Sequence, residues 1–318
     1  MASIEKDGKR WRVRYDAPRG PDGARRQKMK RGFRTQKAAE QWAAETTLAI
    51  GRHAYIAPQR RTLDQYAAEW FPAVRLALEP TTWSLYQTVY AAYVRPALGG
   101  VQLQQLTREQ LAAFYGTLRT RTGRPLAAKT VRGIHTFVHK LLADAVEANW
   151  LARNPADGIH KRLPKVARRP ASVWTPQQTG AFLDHVRDDR LYAAFLVLAT
   201  TGARRSEVLG LRWADVDLDA ATLAVTGKLV LVDGQPRLLA GTKTERSTRA
   251  VDLDPATVAA LRGHRTRQLA ERLAWGAGYA DQGLVFCQEN GEPLHPGRFL
   301  KAFGRLVRAA GLPPVRLH

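Results

Sequence analysis

The hydrophobic period changes twice along these 318 residues, so no single layer of structure can serve the whole chain. Residues 10–15 read Arg-Trp-Arg-Val-Arg-Tyr. This is a period of two that sends Trp11, Val13 and Tyr15 to one side of a strand and Arg10, Arg12 and Arg14 to the other. A Pro-Asp-Gly turn at 21–23 and a second basic run to Phe33 complete a hairpin with one basic face, to which Lys28, Lys30 and Arg34 are assigned. Thr35 can cap a helix that would press Ala38, Trp42 and Ala49 onto the sheet. Residues 1–61 thus read as a small α+β domain, a three-stranded sheet plus a helix, with 16 Lys and Arg against 6 acids.

From Thr62 to Asn154 the period becomes helical, with faces such as Tyr66 and Trp70, then Leu85, Val89 and Tyr93, then Leu111, Phe114 and Leu118. Pro80 and Pro96 flank one helix, and Thr107 with Gln110 has capping-box spacing. A further helix, about Ala127 to Glu147, would carry Lys129, Arg132 and Lys140 outside Val131, Phe137, Leu141 and Leu142. The domain at 62–154 is expected to be all-α. Residues 155–173 then collect prolines and Lys161, Arg162, Lys165, Arg168 and Arg169 against one acid, Asp157. They read as an extended basic linker that can lie along phosphates.

After the linker, Thr175-Pro176-Gln177-Gln178 opens a helix with cap, first-turn proline and capping glutamine in place. Residues 174–318 are expected to form a mixed, mainly-α domain with a small antiparallel sheet. Strand candidates are Thr222 to Val225, either Val230 to Val232 or Leu238-Leu239, Arg249 to Leu253, and Leu284 to Phe286. Helices open at Asp254-Pro255 and His295-Pro296, the second carrying Phe299, Phe303 and Val307.

Charge narrows the partner. Lys and Arg total 50 against 28 Asp and Glu, a formal charge of +22 that draws polyanions. Aromatics woven among the bases favour nucleic acid over a membrane surface or simple solubility. Cys287 is the sole cysteine, so neither an internal disulfide nor a thiolate zinc cluster can form. The start lacks the apolar core of a signal peptide, and the longest apolar stretch, Leu191 to Ala199, is too short to span a bilayer. A cytoplasmic protein without membrane, metal or cofactor partners is expected.

The chemistry-bearing stretch is Thr201-Gly202-Ala203-Arg204-Arg205-Ser206-Glu207, followed by Leu211-Arg212-Trp213-Ala214-Asp215. At a helix start Arg204 can grip phosphate oxygens with a fork that never loses its proton, and Glu207, three residues on, can orient it. A surface ion pair is equally compatible with these two residues alone. The whole stretch, however, resembles the first arginine box of tyrosine recombinases, and Lys243-Thr244 through Ser247 to Arg249 resembles their Lys-Thr-x-x-Ser-x-Arg box. The final Val315-Arg316-Leu317-His318 is similar to the opening of their His-x-x-Arg box. Arg95 to Gly99 and Arg153-Asn154-Pro155 look like a core-binding domain, and the basic hairpin module looks like an arm-binding one.

The resemblance implies catalysis by Arg204, Lys243 and His318 with Glu207 in support: a tyrosine attacks the scissile phosphate and forms a 3′-phosphotyrosyl link. Lys243 would protonate the leaving 5′-oxygen. No cofactor or metal is implied, because phosphodiester energy is conserved. The implied partner is double-stranded DNA at core-type and arm-type attachment sites, bound by a homo-tetramer, with room for an accessory DNA-bending or excision factor. The family's second arginine, further His or Trp and nucleophilic tyrosine lie beyond His318. Tyr279, in a Gly-rich stretch, is not expected to replace that tyrosine. The C-terminal domain therefore reads as incomplete, and the 318 residues are expected to bind DNA without cleaving it. A non-catalytic regulator or decoy derived from an integrase is the rival reading, and an RNA-recognition signature is absent.

If these cations contact phosphates, the log–log dependence of affinity on salt will steepen by about −0.9 per phosphate neutralised. Anisotropy titrations on duplex DNA at several salt concentrations measure it, and a flat response would remove the polyanion reading.

Overall fold

The structure is a computed structural model that describes residues 2–18, 24–51, 55–167, 170, 172–241 and 249–317. The chain gathers into two compact units, Met1–Ala167 and Arg168–His318. Among the described residues no helix is long and apolar enough to cross a membrane.

The first unit begins with strands β1 (Ser3–Asp7), β2 (Arg10–Ala17) and β3 (Arg26–Phe33) in one antiparallel sheet, order β1-β2-β3. Period-two alternation in β2 turns Val13 and Tyr15 inward beneath helix α1 (Gln36–Gly51). The helix buries Ala39, Ala43 and Thr46, not Ala38 and Ala49. Small alanines let its axis approach the sheet, while Trp42 covers the flank with ring contacts to Tyr15 and Phe33 at 5.1 and 5.7 Å. The register also splits the expected basic face. Lys28 and Lys30 lie opposite Tyr15 and Val13, on the helix side, whereas Arg12 and Arg14 lie opposite Arg31 and Met29 on the open side. Lys30 Nζ sits 4.6 Å from the Trp42 ring centroid.

Helices α2 (Leu63–Val74), α3 (Pro80–Val89), α4 (Arg95–Leu98), α5 (Arg108–Thr117) and α6 (Ala128–Glu147) come next. Thr62 with Gln65 and Thr107 with Gln110 form reciprocal capping boxes at α2 and α5. Phe137 on α6 is fully buried and meets the rings of Trp70, Phe71, Tyr86 and Tyr90. The inward face of α3 and its continuation centres on Tyr86, Tyr90 and Val94; of the expected residues, Val89 and Tyr93 pack partly buried against the same core, whereas Leu85 is exposed. Pro96 does not end that helix. A π turn, Tyr90–Val94, in which the Arg95 N–H reaches Tyr90 O, widens the coil ahead of the proline ring that would clash with an ordinary turn.

The expected linker also starts later than its prolines suggest. Ala156, Ile159 and Leu163 are buried in the helical core. Arg132 Nε donates to Pro164 O at 2.9 Å, and its Nη2 to Leu163 O at 3.3 Å. Burying three apolar side chains outweighs the proline content up to Leu163.

In the second unit, α7 (Pro176–His185), α8 (Tyr192–Thr201), α10 (Pro255–Trp275) and α11 (Pro296–Ala309) surround an aromatic centre. Phe195 lies 5.4, 5.2 and 5.8 Å from Phe182, Phe299 and Phe303. Strands β4 (Val216–Asp217), β5 (Thr222–Val225) and β8 (Arg249–Asp252) form an antiparallel sheet in the order β4-β5-β8. Both middle strand candidates exist, paired as a separate hairpin of β6 (Gly227–Val232) and β7 (Gln235–Ala240). Residues 284–286 form a single bridge, Arg212 to Leu284, rather than a strand, and are buried as a plug.

The hairpin rests on the six-residue helix α9 (Arg205–Gly210) at Gly210, where a Cβ would meet the backbone of Lys228 and Leu229 at 2.7 Å. Gly210→Val should cost about 1–3 kcal/mol through overpacking, read as an earlier transition in urea unfolding. Native-like stability would show that β6 can move away.

Candidate active site

The turn between α8 and α9 is written by its side chains. Thr201 Oγ1 donates to Val197 O and accepts from the Ala203 N–H, closing the end of α8. Gly202 then takes φ 61°, a left-handed conformation that glycine adopts without strain. The chain re-emerges extended at Arg204, the residue capping α9.

Glu207, 5% exposed, is the hub of a cluster of charged side chains. Its Oε2 accepts from the Arg204 backbone N–H at 2.9 Å, and its Oε1 accepts from Arg204 Nη1 at 2.8 Å. A second guanidinium arrives from β8, with Arg249 Nη2 donating to Oε2 at 2.9 Å. Burial pushes the Glu207 carboxyl up, but the hydrogen bonds from Arg204 and Arg249 outweigh it and hold the group below the usual glutamate range. Arg204 itself is 62% exposed and Arg249 34%. The cluster is thus an outward-facing arginine braced from beneath by a buried acid, with a second arginine behind it.

Lys243 and His318 lie outside the described residues. The ends of the segment that carries Lys243 are placed: Gly241 N–H donates to Thr226 O at 2.8 Å, and Arg249 pairs with Val225. Both ends therefore meet adjacent residues at the end of β5. The irregular segment leading to His318 is pinned by Trp174 Nε1 donating to Pro313 O at 2.8 Å, with Val315 and Leu317 on the core. Two cavities lie elsewhere, about 540 Å³ beside β4 and β5 and about 720 Å³ near Trp150; neither is lined by Arg204, Glu207 or Arg249.

Comparison with known proteins gives these residues a context. Residues 2–50 match the Arm DNA-binding domain, 62–119 the phage integrase N-terminal SAM-like domain, and 173–318 the Phage integrase family. The chain belongs to the tyrosine recombinase family. A XerC-like tyrosine recombinase of Caldanaerobacter subterraneus is 27% identical over 302 residues, spanning 90% of this chain and 76% of its own. The integrase of Mycobacterium phage D29 is 24% identical over 304 residues, spanning 91% and 75%. The fold is similar to that of the Tn1549 transposon integrase in complex with circular intermediate DNA, at TM-score 0.62 and 19% identity over 79% of this chain and 78% of the other. A lambda integrase tetramer bound to a Holliday junction matches at 0.55 and 17%, over 95% and 83%.

On this recombinase-family scaffold the expected DNA contacts fall into distinct settings. Arg12 is held by Glu5 at 2.7 Å, Lys140 by Asp144 at 2.6 Å, and Arg132 by the carbonyls of Leu163 and Pro164. Arg10, Arg34, Lys129, Lys161, Arg162 and Lys165 are exposed, while Arg14 is half-buried on the open face of the sheet. Arg168 and Arg169 lie outside the described residues. Tyr279 is half-buried with its hydroxyl 3.4 Å from Cys287 Sγ, and burial raises its pKa.

Residue-by-residue reading of the sequence misses three features. Arg31 joins Arg12 and Arg14 on the open face of the sheet. Arg249 is visible there only as the last letter of the lysine box. On α11, Arg298, Lys301, Arg305 and Arg308 are all exposed, with no ion pair among the described residues. Their spacing of three and four residues aligns them along about 15 Å of one helix face, opposite Phe299, Phe303 and Val307. That period is legible in the sequence, but the apolar half of the helix is the stronger signal.

Glu207→Gln should lower stability by about 1–3 kcal/mol at neutral pH, since it removes a buried charge from two arginines. A depressed folded pKa contributes stability above the ordinary glutamate range and loses it as pH falls through the folded value. The gap between native and Glu207→Gln in urea midpoints should therefore close on acidification; a pH-independent gap would contradict an ionised Glu207.

Proposed function

We propose that this chain takes part in site-specific DNA recombination of a phage or other mobile element, a reaction that cuts and rejoins strands through a 3′-phosphotyrosyl intermediate. The observation that carries this reading is the Arg204 guanidinium, held by buried Glu207 beside the anchored ends of the Lys243 segment. In that mechanism the scissile phosphate gains negative charge as the attacking tyrosine oxygen adds and the 5′-oxygen departs. Arg204 stabilises that charge, while the Glu207 brace removes the need to reorganise during the step. Lys243 gives its proton to the leaving 5′-oxygen, and His318 supports the phosphate. The phosphotyrosyl bond conserves the energy for rejoining, when the 5′-hydroxyl of the partner strand displaces the tyrosine.

The open face of the first sheet, with Arg10, Arg12, Arg14 and Arg31, is suited to arm-type DNA, because a β-ribbon carrying arginines on one face fits a groove. Core-type DNA would be held by the helical domain and the α11 stripe, with Lys161, Arg162 and Lys165 tracking phosphates between. The lambda integrase tetramer on a Holliday junction supports a homo-tetramer as the working assembly, with an accessory DNA-bending or excision factor able to assist.

Selection of bound duplexes from a random library, followed by footprinting, tests this. One selected core motif and a separate arm motif are expected, with deletion of residues 1–61 removing only the second. Loss of both on deletion would overturn the assignment of two DNA-binding regions. Arg305→Glu should weaken core-motif binding and reduce the salt slope by about 1; an unchanged slope would remove α11 from the interface. A nicked suicide duplex reads cleavage separately, through a gel-stable covalent adduct.

A further inference from the structure

Among the described residues Arg204 has a single acid for a partner, and that creates an electrostatic problem. An Arg204–Glu207 pair alone sums to zero, so an approaching phosphate would meet a dipole instead of a cation. Glu207 Oε2 is shared: it accepts from the Arg204 N–H and from Arg249 Nη2, each at 2.9 Å, while Oε1 takes Arg204 Nη1 at 2.8 Å. The second guanidinium returns the cluster to a net positive charge. It also saturates the carboxylate from the strand side, so that Glu207 cannot swing away from Arg204 without stranding a second buried hydrogen bond.

Placement supports a division of labour between the two arginines. Arg204 is the more exposed, at 62% against 34%, and Arg249 is fixed at the first residue of β8 by pairing with Val225. Bonds along α9 and along β5–β8 thus meet at one carboxylate, joining residues 42 apart in sequence.

We infer that Arg249 is a positioning residue for Arg204: through the Glu207 carboxylate that both share, it holds the Arg204 guanidinium in place and leaves its charge available to a DNA phosphate. This rests on the proposed engagement of a phosphate by Arg204. Arg249 reaches DNA only through Arg204, so its effect vanishes when Arg204 is absent.

The test is a double-mutant cycle on the full chain with the selected core duplex, comparing Arg204→Ala, Arg249→Ala, Arg249→Lys and the double alanine variant by anisotropy. Arg204→Ala should weaken binding about tenfold, the worth of one charge-assisted contact. Arg249→Ala should weaken it measurably but less, Arg249→Lys should restore part, and the double variant should bind no more weakly than Arg204→Ala. Native binding by Arg249→Ala, or a double variant that loses the product of both factors, overturns the inference. Should Arg204→Ala itself bind as the native chain does, the phosphate reading of Arg204 fails and the inference falls with it.

A second readout needs no DNA. In chains labelled with nitrogen-15 arginine, the Arg204 Nη signals should be separate in the native protein and averaged in folded Arg249→Ala, with Arg249→Lys between them. Unchanged Arg204 signals in folded Arg249→Ala would also overturn it, and a variant that merely unfolds declares itself by collapsed spectral dispersion.

Discussion

A carboxylate at 5% exposure is the constraint around which the second unit is arranged. Removing Glu207 from water is costly unless donors replace the solvent, and the donors come from two elements that sequence keeps apart. One is the turn that comes after Gly202; the other is the strand that comes after the lysine box. Neither α9, six residues long, nor β8, four residues long, has much intrinsic stability. Their shared acid, together with the tight approach at Gly210, gives each a defined place.

The same reasoning separates cations by what already occupies them. Arg132 closes the carbonyls of Leu163 and Pro164, so its charge serves the chain leaving the helical core before it can serve a ligand. Arg12 and Lys140 are similarly held by acids. A net charge of +22 is a long-range property of the whole molecule, whereas the α11 stripe is a local one: four cations in line, backed by phenylalanines that fix the helix to the core.

Much of this fold is legible in the sequence because local signals agree with tertiary packing. Thr62, Thr107 and Thr175 each open a helix where a threonine precedes a glutamine by three residues, and period-two alternation marks β2. Failures come where a tertiary contact overrules a local cue. Pro96 marks a boundary in sequence, yet a π turn absorbs it. The prolines after Arg153 suggest a linker, yet Ile159 and Leu163 are core. Lys28 and Lys30 look as though they share a face with Arg12 and Arg14 because the cross-strand register is not written in either strand alone. At the site, Arg204 and Glu207 can be found from their spacing of three. Arg249 cannot be joined to them, because a contact across 42 residues leaves no period to follow.

Anchoring Arg249 to Val225, the last residue of β5, and Gly241 to Thr226, the residue after it, also governs how such a chain can diversify. With the two ends already brought together by the sheet, residues added between them incur an entropy cost that grows only logarithmically, about 0.6 kcal/mol for each doubling of length. Insertions there can change the length and chemistry of the connection while its two anchored ends stay where the sheet holds them.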